Sequence, residues 1–336
     1  MLNKNTIMNS LANLHGKVVA VTGASGYIGA ALVDELTRYT SEILCISRRE
    51  LVPRQGVRNI KGDIRTYDCW REIVAQADVI FHLAGSTSVY AAATDPAESL
   101  HSTLLPVNHL IKAVQELGCH PRIIFASTAT VYGLTEQLPV AETTEPKPIT
   151  IYDLHKYFAE QQLDLATRLN LLEGVSLRLA NVYGPSSSVS SANDRGILNR
   201  VTNMAMQGKD LTVYGDGKYL RDYVYIDDVV RAFMLAGAKQ GVCGVFNVAM
   251  GISVTVRDAF HLVVQRVAEK SKRNVCIQYV PWPDRASPIE FRNYAANVNC
   301  ISTNLDWRPL VSFESGIDYM IASFSSRIKM TDSSNL

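Results

Sequence analysis

Three glycines spaced three residues apart, Gly23, Gly26 and Gly29, stand between the apolar run Val18-Val19-Ala20-Val21 and a segment whose apolar residues recur at 28, 32, 33 and 36. The run reads as a buried strand and the segment as a helix with one face on a core. A strand that enters a helix through so many glycines makes a tight turn with little side-chain bulk. The backbone N–H groups of such a turn can close on a pyrophosphate, and the helix N-terminus favours the negative charge. Ser25, Tyr27 and Ile28 share the turn. A turn without a ligand is the alternative, and the pattern downstream argues against it.

That pattern is alternation. Further apolar runs, "EILCIS" (42–47), "VRNIKGD" (57–63), "DVIFHLAG" (78–85), "RIIFAST" (122–128) and "VSLRLAN" (175–181), are separated by helical stretches near 66–76, 99–117 and 153–170. Strands spaced in this way predict an α/β fold, a Rossmann-type doubly wound parallel sheet. The expected dinucleotide-binding domain covers 14–185, with segments near 223–250 returning to it. A polar stretch rich in turn formers, 184–196, follows Gly184-Pro185. Residues 186–222 and 251–325 then form a smaller, mixed α/β lobe, and 1–13 and 326–336 are tails.

Composition excludes several classes. The formal net charge is +1 and the basic residues are dispersed, so no nucleic-acid surface is expected. Six cysteines, at 45, 69, 119, 243, 276 and 300, occur singly with no CxxC pair, which predicts neither a metal site nor a disulfide frame. The N-terminal stretch lacks a continuous apolar core, and no segment approaches a membrane-spanning length. The expectation is a cytoplasmic protein with no membrane partner.

The second strand ends in Ser47-Arg48-Arg49. A carboxylate there would hold the adenosine ribose of NAD and repel a 2′-phosphate, whereas arginines would pair with one. The residues therefore favour NADP(H), with NAD(H) the alternative; Glu50 stands nearby. Tyr152 and Lys156 in "YDLHK" are four apart, on one side of a helix. A phenol titrates near 10, too high for a base at neutral pH, and an adjacent ammonium favours the phenolate. "FASTATVYG" (125–133) brings Ser127 and Thr128 to the carboxyl edge of the sheet, where doubly wound folds bind ligands. Thr128 can hydrogen-bond the oxygen on which Tyr152 acts. His82 and His155 read as structural histidines, Tyr132 as a pocket wall, and Asp227-Asp228 as carboxylates opening a helix.

The GxxGxxG turn, the Thr128/Tyr152/Lys156 set, "LRLANVYGP" (177–185), "LTVYGDGKYLRDYVYIDDVVRA" (211–232), "VFNVAMG" (245–251) and "LDWRP" (305–309) together resemble the extended short-chain dehydrogenase/reductases of the nucleotide-sugar branch, relatives of UDP-galactose 4-epimerase, over residues 16–322. The resemblance implies that Asp63 and Ile64 of "GDI" hold adenine and that Leu83, Ala84 and Gly85 lie beside the cofactor diphosphate. Lys156 would also bind the nicotinamide ribose. The second lobe would bind a nucleoside diphosphate sugar, with Asn181 on the sugar diphosphate, Arg221 on its phosphates, and Arg292, ahead of Arg285, as a second clamp. Relatives pair the helices near 99–117 and 153–170 into a homodimer, and Phe158, Leu165 and Leu169 could supply the apolar face. One departure stands out. Where the family often has N-V-x-G-T, this chain has "STLLPVN", with Thr103 at the Asn position and Pro106 interrupting the motif.

Relatives that dehydrate or decarboxylate carry T-D-E or T-S-E after the catalytic Thr. Here Thr128 is followed by Ala129-Thr130, and neither side chain does proton chemistry at neutral pH. Two enzymatic readings remain. The first is an NADP(H)-dependent reductase of a nucleoside-diphosphate 4-keto-(deoxy)hexose, with Tyr152 as proton donor. The second is a nucleotide-sugar 4-epimerase with tightly bound NAD. A dinucleotide-sensing or scaffold protein without catalysis is the non-enzymatic alternative.

Overall fold

The computed structural model describes residues 11–40, 42–185 and 196–333, with side chains to 326. Most of the polar 184–196 stretch and the outer parts of both tails lie outside the described residues. The strands, in chain order, are β1 (Val18–Thr22), β2 (Glu42–Ser47), β3 (Val57–Lys61), β4 (Val79–His82), β5 (Arg122–Thr128), β6 (Glu173–Leu179), β7 (Asn181–Tyr183), β8 (Leu211–Tyr214), β9 (Leu220–Tyr225), β10 (Gly244–Val248), β11 (Ser253–Thr255) and β12 (Ile277–Val280). The helices are α1 (Tyr27–Leu36), α2 (Tyr67–Val74), α3 (Val89–Thr94), α4 (Pro96–Thr103), α5 (Leu105–Leu117), α6 (Ile151–Arg168), α7 (Ile197–Met206), α8 (Ile226–Ala238), α9 (Val256–Ser271), α10 (Asn299–Leu305) and α11 (Phe313–Ser333).

Seven strands form one sheet in the order β10-β6-β5-β4-β1-β2-β3. Every neighbouring pair in it is parallel. Such strands are covered on both faces and read as near-continuous apolar runs; in β5 all seven residues are buried. One face packs on a core containing Leu32, Phe81, Phe233 and Phe246, which continues into the second lobe through Phe260 and Trp307. The other face packs on Trp70, Leu110, Phe125 and Leu163. The strand order reverses between β1 and β4, and doubly wound sheets bind ligands at the carboxyl ends of strands beside such a switch point.

The remaining strands form a three-stranded sheet, β11-β9-β7, and a two-stranded one, β12-β8. The sheet strands expected from sequence are present, and β10 is a seventh, supplied from the segment that returns after the second lobe begins. The helix expected over 99–117 is in fact two, α4 and α5, broken at Leu104. Pro106 explains the break, because it has no N–H for the carbonyl of Ser102. That oxygen instead lies beside Gly85, 3.2 Å from where a Cβ on Gly85 would sit. Asp228 stands in the first turn of α8, as expected, and has a second role. Its buried carboxylate accepts from the main-chain N–H groups of Leu310 and Val311 at 3.0 Å and pairs with Arg231 at 2.7 Å. It joins α8 to a distant segment as well as standing in the first turn of its own helix.

Candidate active site

The carboxyl ends of β1, β4 and β5, the start of α6 and the second lobe enclose one cavity of about 1170 Å³. Single-ligand pockets run to ~300–1,000 Å³, so this one has room for two ligands. On the sheet side it is lined by Gly23, Gly26, Tyr27, Ile28, Gly29 and Leu83. Ser127, Thr128, Tyr152 and Lys156 line its middle, Asn181 lines it from β7, and Arg221 and Arg292 line it from the second lobe.

The glycine turn is required by contact. Gly23 has φ +71°, and a Cβ on it would sit 2.8 Å from the Ala84 nitrogen; one on Gly29 would sit 2.2 Å from the Gly23 oxygen. No side chain fits there, so the turn keeps its backbone bare at the start of α1, which is the cradle a pyrophosphate needs. Tyr27 closes one side; its hydroxyl donates to the Gly184 carbonyl (2.8 Å) and accepts from Asn199 Nδ2 (3.2 Å). These residues fit a dinucleotide.

The other expected cofactor residues surround this cradle without lining the cavity. Ser47 Oγ donates to Ser25 Oγ at 3.3 Å and accepts from the Arg49 N–H at 3.2 Å. Arg48 and Arg49 are exposed. Asp63 accepts from the Arg65 side chain, whose guanidinium hydrogen bonds hold the carboxyl below its usual range. Ile64 offers its carbonyl to Trp70 Nε1 (2.8 Å), and the Ala84 N–H donates to Thr22 Oγ1 (3.2 Å). Thr103, at the departure from the family pattern, is buried and accepts from the Ser86 N–H at 3.4 Å.

Lys156 is buried, and its ammonium donates to the Ala126 carbonyl at 2.8 Å. Burial lowers its pKa to about 8, against an opposing pull from Glu160. Glu160 also pairs with buried Arg178 (2.6 Å) and accepts the hydroxyl of Ser127. Ser127 therefore turns its hydrogen into the core and offers the cavity a lone pair. Thr128 Oγ1 lies 2.9 Å from Thr130 Oγ1, and Thr130 donates to the carboxylate of Asp153. Burial raises the Asp153 pKa, opposed by Thr130, Thr150 and the Arg292 charge.

The arginines are held by carbonyls. Arg221 donates to the oxygens of Leu220 (3.0 Å), Arg292 (2.5 Å) and Glu290 (2.6 Å). Arg292 donates to Ile289 O (3.0 Å) and Asn181 Oδ1 (3.2 Å). Burial, then repulsion from Arg221, lowers Arg292 to about 10, so the pair gains from an anion between the lobes. Arg285 lines the cavity as well.

Tyr132 is a correction: it is buried outside the cavity lining, and its hydroxyl donates to Asn247 Oδ1 at 2.8 Å. His82 and His155 sit as structural histidines, against Thr22 (2.8 Å) and Ser99 (2.9 Å); burial lowers His82 to about 3 and keeps it neutral. Sequence reasoning missed an aromatic wall, Tyr214 stacked on Trp282 at 5.4 Å with Tyr219 beside them. It also missed Tyr90, whose hydroxyl reaches Glu290 across the cavity at 3.2 Å. Neither has a local signal, because the partners are far apart in the chain. Among the described residues no three-residue His/Cys/Asp/Glu group could hold a metal ion, and no helix is long and apolar enough to cross a membrane.

A family model described as "NAD dependent epimerase/dehydratase family" matches residues 19–249. The chain belongs to that family. Members of known activity are similar over most of their length. UDP-glucose 4-epimerase of Mycolicibacterium smegmatis is 26% identical, covering 91% of this chain and 98% of its own. The crystal structure of UDP-glucose 4-epimerase from Thermotoga maritima with UDP-glucose is 29% identical, with TM-score 0.81, covering 92% of this chain and 99% of that one. The Thermus thermophilus UDP-glucose 4-epimerase in complex with NAD is 28% identical, with TM-score 0.78, covering 91% and 98%. The epimerase/dehydratase membership fixes the fold and the enzyme class, a short-chain dehydrogenase/reductase that uses a nicotinamide dinucleotide. These relatives favour the epimerase alternative over the reductase, and NAD over NADP(H).

Proposed function

We propose that the protein is a nucleotide-sugar 4-epimerase that works with a resident NAD. The observation that carries this is the composition of the reacting centre. Thr128, Tyr152 and Lys156 share one cavity with the glycine cradle, and the two residues after Thr128 are Ala129 and Thr130, with neither the acid/base pair expected of a dehydratase nor the Glu expected of a decarboxylase. The names of the similar enzymes agree, since they are UDP-glucose 4-epimerases and one is in complex with NAD.

Held in the cradle of Gly23, Gly26 and Gly29, a nicotinamide dinucleotide would supply a reversible hydride acceptor for sugar C4. The chain supplies everything else. Tyr152 takes the O4 proton and later gives it back. The Lys156 ammonium, anchored on Ala126, favours the phenolate. Arg221 and Arg292 face the nucleotide diphosphate from the second lobe, and the Tyr214–Trp282 wall offers a flat apolar surface to a base. Inversion at C4 requires the 4-ketose to turn over within the cavity.

The test is to denature the purified protein, identify the released dinucleotide, and follow interconversion of UDP-glucose and UDP-galactose. Stoichiometric NAD with interconversion supports the epimerase. A specific observation favours a second reading: β2 ends in Ser47 with Arg48 beside it, where a carboxylate would repel a 2′-phosphate. A protein purified free of cofactor, with at least tenfold preference for NADPH and no interconversion, would establish the NADP(H)-dependent 4-ketose reductase instead.

A further inference from the structure

The hydroxyl of Tyr27 makes its bonds to residues far from the glycine turn that carries it. Tyr27 is the first residue of α1, is buried, and lines the cavity beside Gly26, Ile28 and Gly29. Its oxygen donates to the carbonyl of Gly184, just past β7, at 2.8 Å and accepts from Asn199 Nδ2 at 3.2 Å. Asn199 stands on α7, 172 positions from Tyr27 and equally buried from solvent, and its Oδ1 accepts the Gly184 N–H at 3.0 Å.

The three bonds close a circuit. Tyr27 gives its one hydroxyl hydrogen to Gly184, Gly184 gives its N–H to Asn199, and Asn199 gives an amide hydrogen back to Tyr27. Each member donates once and accepts once. An asparagine buried within a helix is a poor choice for packing alone, since it forms helix weakly and its amide must be satisfied; the circuit satisfies it. The circuit also crosses between the lobes. Helix α7 packs on α9 and α11, and it lines the same cavity as the glycine cradle at Ile197, Leu198, Arg200, Val201 and Met204. One side chain thus holds a wall from the second lobe against the floor on which a dinucleotide diphosphate would rest.

We infer that Asn199 is a positioning residue that fastens α7 to the start of α1, so that a dinucleotide leaves its cradle only when the lobes part there, and a sugar nucleotide packed on α7 slows that loss. The inference rests on the dinucleotide reading of the cradle and adds to it a reason for the cofactor to stay resident. Asn199 touches neither ligand in this scheme. Parting the lobes at this point breaks both bonds of the Tyr27 hydroxyl, to Gly184 and to Asn199. A sugar nucleotide against α7 adds contacts that must be given up in the same movement. By linkage, the dinucleotide strengthens binding of the sugar nucleotide by the factor it receives.

The test is the rate at which bound NAD leaves the holoenzyme, followed by exchange into excess isotopically labelled NAD, with thermal unfolding to verify that each variant is folded. One hydrogen bond of typical net strength corresponds to about a fivefold change and two to about thirtyfold. Asn199→Ala removes one bond across the junction and should speed exchange about fivefold; Tyr27→Phe removes two and should speed it about thirtyfold. Asn199→Ala added to Tyr27→Phe should speed exchange no further, because the circuit is already open. Saturating UDP should slow exchange in wild type and leave the double variant unaffected. Loosened packing alone would multiply the two single effects and leave the action of UDP in place. A folded Asn199→Ala protein that exchanges NAD at the wild-type rate, or a double variant faster than Tyr27→Phe by the full Asn199→Ala factor, overturns the inference. So does UDP that slows exchange equally in wild type and double variant, or in neither. Where Asn199→Ala does not fold, Tyr27→Phe keeps the phenyl ring and the asparagine, and wild-type exchange in it overturns the inference as well. None of these readouts needs turnover. A wild-type protein that carries no NAD overturns the epimerase reading; exchange of NADPH in the same variants then decides the circuit separately.

Discussion

Replacing Gly29 by alanine should cost the protein more of its dinucleotide than replacing Gly26. The two glycines look equivalent in sequence, and the structure separates them. A Cβ on Gly29 would lie 2.2 Å from the Gly23 carbonyl oxygen and 2.9 Å from its carbon, more than 1 Å inside ordinary van der Waals contact. Both sides of that clash are backbone, so no rotamer relieves it: the turn must move off the start of α1. The same oxygen accepts the Gly26 N–H at 2.8 Å, and its displacement turns the N–H groups of the turn away from the phosphates they would face. A charge-assisted hydrogen bond contributes about 1.5–3 kcal/mol; losing two costs about 3–6 kcal/mol, roughly 10²–10⁴ in affinity. On Gly26 the added Cβ would stand 3.0 Å from the same oxygen, a contact that a shift of a few tenths of an ångström relieves. The assay is dinucleotide released per protein on denaturation, followed by titration of the stripped variants, with thermal unfolding to verify that each is folded. A folded Gly29→Ala protein that retains wild-type cofactor, or loses no more than Gly26→Ala, refutes the reasoning.

Tyr152→Phe should lower turnover by about 10²–10⁴, the range of a positioned acid–base group, with dinucleotide content unchanged; near-wild-type activity would remove Tyr152 from the mechanism. Because burial brings the Lys156 pKa down to about 8, its cation is present below that pH and lost above it, so kcat should decline as pH rises past about 8. In a pH–rate series, Lys156→Arg should shift the decline upward, and an identical profile would assign it to another group. Phe158 and Leu165 on α6 and Leu169 at its C-cap are 44%, 48% and 62% exposed, and sedimentation should find a homodimer; a mass that stays monomeric at all concentrations would exclude it.

The sheet was legible because buried strands and amphipathic helices obey different periods, and the glycine turn because its chemistry is local. Tyr152 and Lys156 were legible for the same reason, being one helical turn apart. What escaped was non-local. Asn199 gives no signal in its own helix, since its meaning comes from Tyr27, 172 positions away. Tyr27 itself was legible as part of the glycine turn, which says nothing about where its hydroxyl bonds. The aromatic Tyr132, close to the catalytic Thr in sequence, turned out to be core because Asn247 on β10 claims its hydroxyl. The break at Leu104 was readable in principle from Pro106, yet the helical period runs through it undisturbed.

The seventh strand has a consequence for how the protein is made. β10 lies against β6 with five paired positions, Gly244–Val248 beside Val175–Leu179, and residues 180–243 are synthesised between them. At ~5–20 residues per second, a ribosome leaves β6 as the open margin of a half-built sheet for several seconds, with unpaired backbone groups that another nascent chain could match. The cofactor-binding half is thus finished only after the first part of the second lobe, 186–222, has emerged. A fragment ending near residue 185 would carry the glycine turn, Tyr152 and Lys156, and still be an incomplete and adhesive body. The arrangement binds the order of synthesis to the order of assembly, and it makes the two lobes poor candidates for exchange as separate modules.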